Sequence, residues 1–311
     1  MASSDNSCNT EQAKRLPNLS ALTLKPRDQL TRQASDGIYC IDTLEASQRG
    51  FKIAQLSDCK ASVILVRNAL EATDEEAQEL DAFMNDDAIV LPTVNPMNSN
   101  SFIRRKQATF GASYKFSGQK VPSFADEEKW PAAVKKTLTY TKQVVQQLGH
   151  DPDAYNAVHT NLYKEGRDAL AEHQDEEKDM VKGLPILSYT LLTGERKPRD
   201  FVISLRETPE EYEARKRERD EKFRFMGKLP AKSALKIAYH EIATIQLGHN
   251  DLLIMQGDMQ SKETGYFHSV PEAKPAKEYK NARRLNMTVR AFKEGAVAAA
   301  GAAEAKRVRE M

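Results

Sequence analysis

The run Arg284-Leu285-Asn286-Met287-Thr288-Val289-Arg290 constrains the fold more than any other stretch of the chain. In an extended strand, successive side chains point to opposite faces. Leu285, Met287 and Val289 then share one face, and Arg284, Asn286, Thr288 and Arg290 share the other. The apolar face requires a core. The polar face holds two guanidinium groups with an amide and a hydroxyl between them. Two such arginines can grip a small dicarboxylate, because each makes a bidentate contact. Read alone, that face is more simply a basic strand facing solvent.

Other short runs repeat the strand signal. Strands are predicted over Val158–Tyr163, Ile186–Leu192, Asp200–Leu205, Ile242–Leu247, Leu252–Met255, Tyr266–Val270 and Leu285–Phe292. An earlier one is predicted over Val63–Val66. Thr73-Asp74-Glu75-Glu76 has capping-box form and opens a helix over Asp74–Asn85. A second helix is predicted from Trp130 to Gly149, with Trp130, Val134, Leu138 and Val145 on one stripe. The expected class is mainly β with flanking helices (α+β). Many short strands and few late helices predict a sandwich or jelly roll rather than a parallel α/β sheet.

The chain has 311 residues, and one folded domain is expected over 37–293. Residues 1–36 are polar and charged and are expected to be a disordered tail. Residues 294–311 form an Ala-rich tail, and Ala88 to Asn100 reads as a loop. Over 207–236 the charges alternate densely, as in a solvated helical insertion. Cys8, Cys40 and Cys59 are odd in number and lack C-x-x-C spacing, so neither a disulfide framework nor a zinc site is indicated. No apolar run is long enough to span a bilayer, and the N-terminus lacks a signal-peptide core. A soluble intracellular monomer without a membrane partner is expected, in nucleus or cytoplasm.

The formal net charge of +1 restricts any nucleic-acid binding to local patches. One candidate is 101–120, where Arg104, Arg105, Lys106, Lys115 and Lys120 alternate with Phe102, Phe110, Tyr114 and Phe116. That mixture suits a base-stacking surface, and equally a hairpin with its aromatics in the core. A second candidate is the basic run Lys274 to Lys293.

His173 and Asp175 are two residues apart, so on an extended segment they point the same way. With a distant histidine they have the ligand pattern of a facial triad for non-heme Fe(II). The plainer reading of His173 is a surface residue in an acidic run. His240 or His249 could supply the third ligand, but His268 is preferred because it lies closest before the Arg/Asn strand. His150 and His159 are further histidines that could be false partners.

Taken in order, several motifs resemble the AlkB family of Fe(II)- and 2-oxoglutarate-dependent dioxygenases, closest to the branch that repairs alkylated DNA. They are Arg105-Lys106-Gln107-Ala108-Thr109-Phe110-Gly111, Tyr114-Lys115-Phe116-Ser117-Gly118, Asn161-Leu162-Tyr163, His173-Gln174-Asp175-Glu176-Glu177, Pro185-Ile186-Leu187-Ser188, Arg199-Asp200-Phe201, His268-Ser269-Val270-Pro271 and the Arg284–Arg290 run. The resemblance covers roughly Arg104 to Phe292. It implies a double-stranded β-helix, that is, a jelly roll. It implies that His173, Asp175 and His268 bind Fe(II). Asn161, Tyr163, Arg284 and Asn286 would hold the distal carboxylate of 2-oxoglutarate, and Arg290 the carboxylate beside its keto group. Residues 101–120 would form a nucleotide-recognition lid with Arg105 at its start. Phe116 with Tyr114 would stack a flipped-out base against His173, and Glu176 or Glu177 would contact the base edge.

The implied reaction is oxidative demethylation of 1-methyladenine- or 3-methylcytosine-type bases in DNA or RNA, releasing formaldehyde, succinate and carbon dioxide. The long 193–198 linker, the 207–236 insertion and Gln256–Gln260 depart from the family pattern and bear on substrate choice. Two alternatives are an oxygenase acting on a protein side chain or small molecule, and a non-catalytic nucleic-acid binding module. The basic, aromatic stretch favours a nucleic-acid substrate, and the intact ligand set argues against loss of catalysis.

Overall fold

The computed structural model describes residues 61–293 apart from 96–97, 113–114, 117–118, 176–177, 228–234, 258 and 260–264, together with 39–40 and 51–55. The expected tails over 1–36 and 294–311 lie outside the described residues.

Strands β1 (Tyr39–Cys40), β2 (Phe51–Gln55) and β3 (Ala61–Val66) precede helix α1 (Asp74–Asn85). The capping box forms as expected. The Thr73 hydroxyl accepts from the Glu76 N–H at 3.2 Å, and the Glu76 carboxylate accepts from the Thr73 N–H at 2.7 Å. Strands β4 (Val94–Asn95) and β5 (Asn98–Phe102) pair as a hairpin where a loop was expected. β5 is Asn- and Ser-rich and almost wholly exposed, so it carries no apolar alternation to mark it. Next come β6 (Lys106–Gly111), the small hairpin β7 (Lys115–Phe116) and β8 (Gln119–Lys120), and β9 (Ser123–Phe124). Helix α2 (Ala132–Gln147) follows a 3-10 turn at Glu127–Lys129.

The rest of the chain is strands β10 (Tyr155–Tyr163), β11 (Leu170–His173), β12 (Ile186–Gly194), β13 (Arg199–Arg206), β14 (Tyr239–Leu247), β15 (Asp251–Gly257), β16 (Tyr266–Val270) and β17 (Ala282–Ala291). Helix α3 (Pro209–Phe225) lies between β13 and β14 and buries no residue, as its unbroken charge dictates.

Nine strands form a large sheet in the order β1-β2-β3-β15-β12-β17-β10-β6-β9, and β11-β16-β13-β14 form a small one. All pairings are antiparallel except β6 with β9. The two sheets face each other. Val63, Leu65, Ile186 and Met255 from the large sheet pack with Phe201, Ile203, Leu247 and Val270 from the small one. The outer face of the large sheet lies under α1 and α2, where Leu80, Met84, Val134 and Val145 meet Val158, Leu162, Leu187 and Leu285. This is the jelly-roll core of a double-stranded β-helix with helices packed on one side.

β17 runs between β12 and β10 and serves both layers. Leu285, Met287 and Val289 are fully buried in the helix-side core. Arg284, Asn286, Thr288 and Arg290 are buried too. The reading of that face as solvent-exposed is overturned, because the small sheet covers it. Register places Tyr163, Asn161 and His159 of β10 opposite Arg284, Asn286 and Thr288. The two strands therefore present a single polar patch inside the sandwich.

Leu285→Ala is expected to lower stability by about 3 kcal/mol, the usual size for truncating a fully buried leucine. Urea unfolding should show a lower midpoint at unchanged slope.

Candidate active site

β11 runs beside β16 with His173 in register with His268, and their ring centroids lie 4.2 Å apart. Two residues past His173, the Asp175 carboxylate lies against the Nε2 edges of both rings. Its Oδ1 is 3.5 Å from His173 Nε2, and its Oδ2 is 3.7 Å from His268 Nε2. One ligand atom from each residue lies within 4.8 Å of the others. The structure thus groups His268, rather than His240 or His249, with the His-x-Asp pair. Phe201 stacks on the His268 ring at 5.2 Å and fixes its plane.

Protonation favours metal binding. His173 Nδ1 lies 2.9 Å from the Ala171 carbonyl. A carbonyl only accepts, so in the neutral ring Nδ1 carries the proton and the Nε2 lone pair faces Asp175. Burial, reinforced by His173 nearby, pushes His268 down to about 3 and keeps it neutral. Burial alone would raise Asp175. The Arg290 guanidinium, 2.8 Å from Oδ1, together with the His173 hydrogen bond and the His268 ring, outweighs it and holds the carboxyl well below its usual range. Two imidazoles and one carboxylate are the donor set for Fe(II).

The polar patch of the large sheet faces this cluster. Arg284 is 1% exposed, and its Nη2 reaches Thr190 Oγ1 at 3.3 Å. Its Nε and Nη1 have no hydrogen-bond partner among the described residues, and neither has the buried Tyr163 hydroxyl. Burial pulls the Arg284 guanidinium down to about 10. A buried cation with two unanswered donors is costly unless an anion joins it. A carboxylate is the acceptor such a fork fits.

The remaining members of the patch are tied to protein groups. Asn286 Nδ2 donates to Ser188 Oγ at 2.7 Å and to the Tyr189 carbonyl at 3.0 Å, so it braces β17 against β12. Asn161 Oδ1 lies 3.1 Å from Arg105 Nε and 3.2 Å from Gln107 Nε2. His159 Nδ1 lies 3.1 Å from Thr109 Oγ1, and burial with Arg290 nearby keeps its ring well below the usual imidazole range. His159, Gln107, Ser188 and Thr190 were not singled out as site residues. The available signal for His159 was parity, since it points to the same face as Asn161 and Tyr163. The other three come from strands whose pairing the sequence does not reveal.

The lid residues divide. Arg105 is 6% exposed rather than on the surface. Phe110 is core, stacked on Phe124 at 5.4 Å, whereas Phe102 is 62% exposed. The core-facing reading therefore holds for Phe110. Phe116 lies on β7. Tyr114, Glu176 and Glu177 fall outside the described residues. The second basic run also splits: Arg284 and Arg290 are internal, and Lys274, Lys277 and Lys280 are exposed.

A model of the 2OG-Fe(II) oxygenase superfamily matches residues 67–290. The chain belongs to that superfamily. DNA oxidative demethylase ALKBH2 of Bos taurus is 28% identical over 220 residues, covering 70% of this chain and 63% of that protein. Its Homo sapiens counterpart is 27% identical over 236 residues, covering 75% and 72%. The match to the bovine relative thus spans less than two-thirds of its length. These relatives agree with the AlkB-family resemblance of the motifs. A solved prolyl hydroxylase from Trichoplax adhaerens, in complex with a hypoxia inducible factor peptide fragment, aligns at 13% identity and a TM-score of 0.39, over 82% of this chain and 89% of that one. The oxygenase superfamily implies Fe(II) and 2-oxoglutarate, and the residues fit both: two imidazoles and an ionised carboxylate for the metal, and a buried guanidinium with free donors for a carboxylate.

Arg284→Met is expected to stabilise the ligand-free protein by about 1–3 kcal/mol, because it removes a buried unpaired cation while keeping volume. Thermal melting without ligand should show a raised Tm. A lowered Tm would mean that the guanidinium is satisfied in the free protein.

Proposed function

We propose that the chain is an Fe(II)- and 2-oxoglutarate-dependent dioxygenase that oxidatively demethylates N-alkylated bases in nucleic acid. The bases are of the 1-methyladenine and 3-methylcytosine type, and the products are formaldehyde, succinate and carbon dioxide. The observation that carries this reading is the His173–Asp175–His268 cluster facing a buried guanidinium that lacks an anion. Support for the nucleic-acid substrate comes from the names of the relatives and from the exposed cations Arg104, Lys274, Lys277 and Lys280.

Bound iron, with 2-oxoglutarate, supplies the oxidation of the N-methyl carbon. The chain's own groups do the placing. His173, Asp175 and His268 hold the metal. Arg284, with the Tyr163 hydroxyl, grips the distal carboxylate, and Arg290 lies where it can meet the carboxylate beside the keto group while it fixes Asp175. Water is excluded from this patch, so each charged contact there is stronger than it would be in solvent. Among the three ligands only His173 has an appreciably exposed side chain, at 25% against 5% for Asp175 and 4% for His268. The base therefore approaches from the His173 side. Phe116 and Tyr114 stack it, and Glu176 or Glu177 contacts its edge. A base must leave its duplex to reach so recessed a site. In this reading the protein acts inside the cell as a monomer.

Incubation with Fe(II), 2-oxoglutarate and oligonucleotides bearing either methylated base should restore the base mass and release matching formaldehyde. No turnover on DNA or RNA, single- or double-stranded, would remove the nucleic-acid reading. Asp175→Ala should lower 2-oxoglutarate decarboxylation at least about a hundredfold, since losing even an outer partner of a metal ligand costs roughly 10–100-fold. Unchanged decarboxylation in that variant would remove the metal assignment.

A further inference from the structure

The orientation of the Asn161 amide is fixed by Gln107 on β6 and by Arg105 just before that strand. A guanidinium has donors and no acceptor, so the Asn161 atom 3.1 Å from Arg105 Nε must be the oxygen. This settles the amide assignment by chemistry, where an asparagine's oxygen and nitrogen are otherwise easily exchanged. Gln107 then donates to the same oxygen through Nε2 at 3.2 Å. Both lone pairs of Oδ1 are thereby engaged. β10 has β6 on one side and β17 on the other, with Asn161 opposite Gln107 and opposite Asn286. The oxygen faces β6, so the NH2 group is turned away from it; the Asn161 side chain also hydrogen-bonds His159 on the same face, and the second of its two N–H donors is the one offered to a carboxylate.

We propose that Arg105 and Gln107 are positioning residues for the co-substrate, locking Asn161 with its NH2 donor turned toward the carboxylate gripped by Arg284. This rests on the oxygenase reading given above. The orientation sets the sign of the interaction. A carboxylate only accepts, so the NH2 attracts it, whereas a flipped amide would oppose it with an oxygen. Both locking residues are buried, Arg105 at 6% and Gln107 at 1% exposure, which shields the pair from competing water. Arg105 is also held at Nη1 by the Ala169 carbonyl at 3.4 Å, so its fork joins β6, β10 and the segment before β11. The start of the lid strand thus orients a co-substrate donor.

The test is 2-oxoglutarate binding to the full chain loaded with Mn(II), followed by calorimetry, beside binding of a methylated oligonucleotide. Arg105→Gln and Gln107→Met, the latter close to isosteric, should each weaken 2-oxoglutarate binding about tenfold, the scale of one hydrogen bond to a charged group. For Gln107→Met, whose side chain is buried, oligonucleotide affinity should stay unchanged. Because both act through Asn161, pairing either with Asn161→Ala should leave binding within about twofold of Asn161→Ala alone, the non-additivity expected of one shared path. Additive losses overturn the proposal. So does a loss of oligonucleotide affinity with 2-oxoglutarate binding intact, which would make Arg105 a direct substrate contact. Thermal melting checks that each variant folds, and the Gln107 pair decides the matter if Arg105→Gln does not. Wild-type protein that binds no 2-oxoglutarate would instead overturn the oxygenase reading itself.

Discussion

The Arg290–Asp175 ion pair joins the two sheets where the chemistry is placed. Arg290 belongs to β17 in the large sheet, and Asp175 follows β11 of the small one. At 2.8 Å, with both side chains about 95% buried, the pair is exposed to little screening. Each charge would be expensive to bury alone, and together they are tolerable. The consequence reaches past stability. Arg290 keeps Asp175 ionised despite burial, while burial keeps His268 neutral. The same low-dielectric interior therefore yields a charged ligand and a neutral one, because the positive charge of Arg290 favours the carboxylate anion and disfavours the imidazolium.

β17 shows how closely site and core are bound together. One face of the strand is apolar and supports the helix layer, and the other is polar and lies between the two sheets. Period-two alternation lets both be written in ten residues. A one-residue slip against β10 would exchange them, putting Arg284 and Arg290 against α2 and the leucine face between the two sheets. Register is thus enforced from both sides by the desolvation of guanidinium groups and by the burial of Leu285, Met287 and Val289. This central strand is the best-specified element of the fold.

That double constraint also explains what could be read in the sequence. The alternation in β17, the capping box of α1 and the bounds of β16 were all legible, because each is a local pattern with one physical meaning. The His-x-Asp pair was legible for the same reason. The β4–β5 hairpin was not, since an exposed Asn/Ser-rich strand carries no hydrophobic period. Neither were β9 and β11, which are two and four residues long and take their shape from their partners. Gln107 and His159 escaped because their relevance comes from strand neighbours 54 and 50 residues away in the chain. The polar face of β17 was ambiguous until the small sheet was seen to cover it. Burial of that face depends on the whole fold, and no window of sequence contains it.

The charged insertion illustrates the opposite regime. α3 leaves from the end of β13, the strand that pairs with β16 beside His268, yet it buries nothing. One carboxylate closes its base: Glu207 accepts from Arg215 Nε at 2.9 Å, Arg215 Nη2 at 2.7 Å and the Ala238 N–H at 2.7 Å. A buried acid satisfied by three donors makes a stable junction that needs no apolar packing. The strands on either side keep their pairing from Arg199↔Leu247 to Arg206↔Tyr239 across the gap. Because the helix draws no support from the core, its sequence can change without moving His268. The metal cluster depends on β11, β16 and β17, and none of these uses α3 for support.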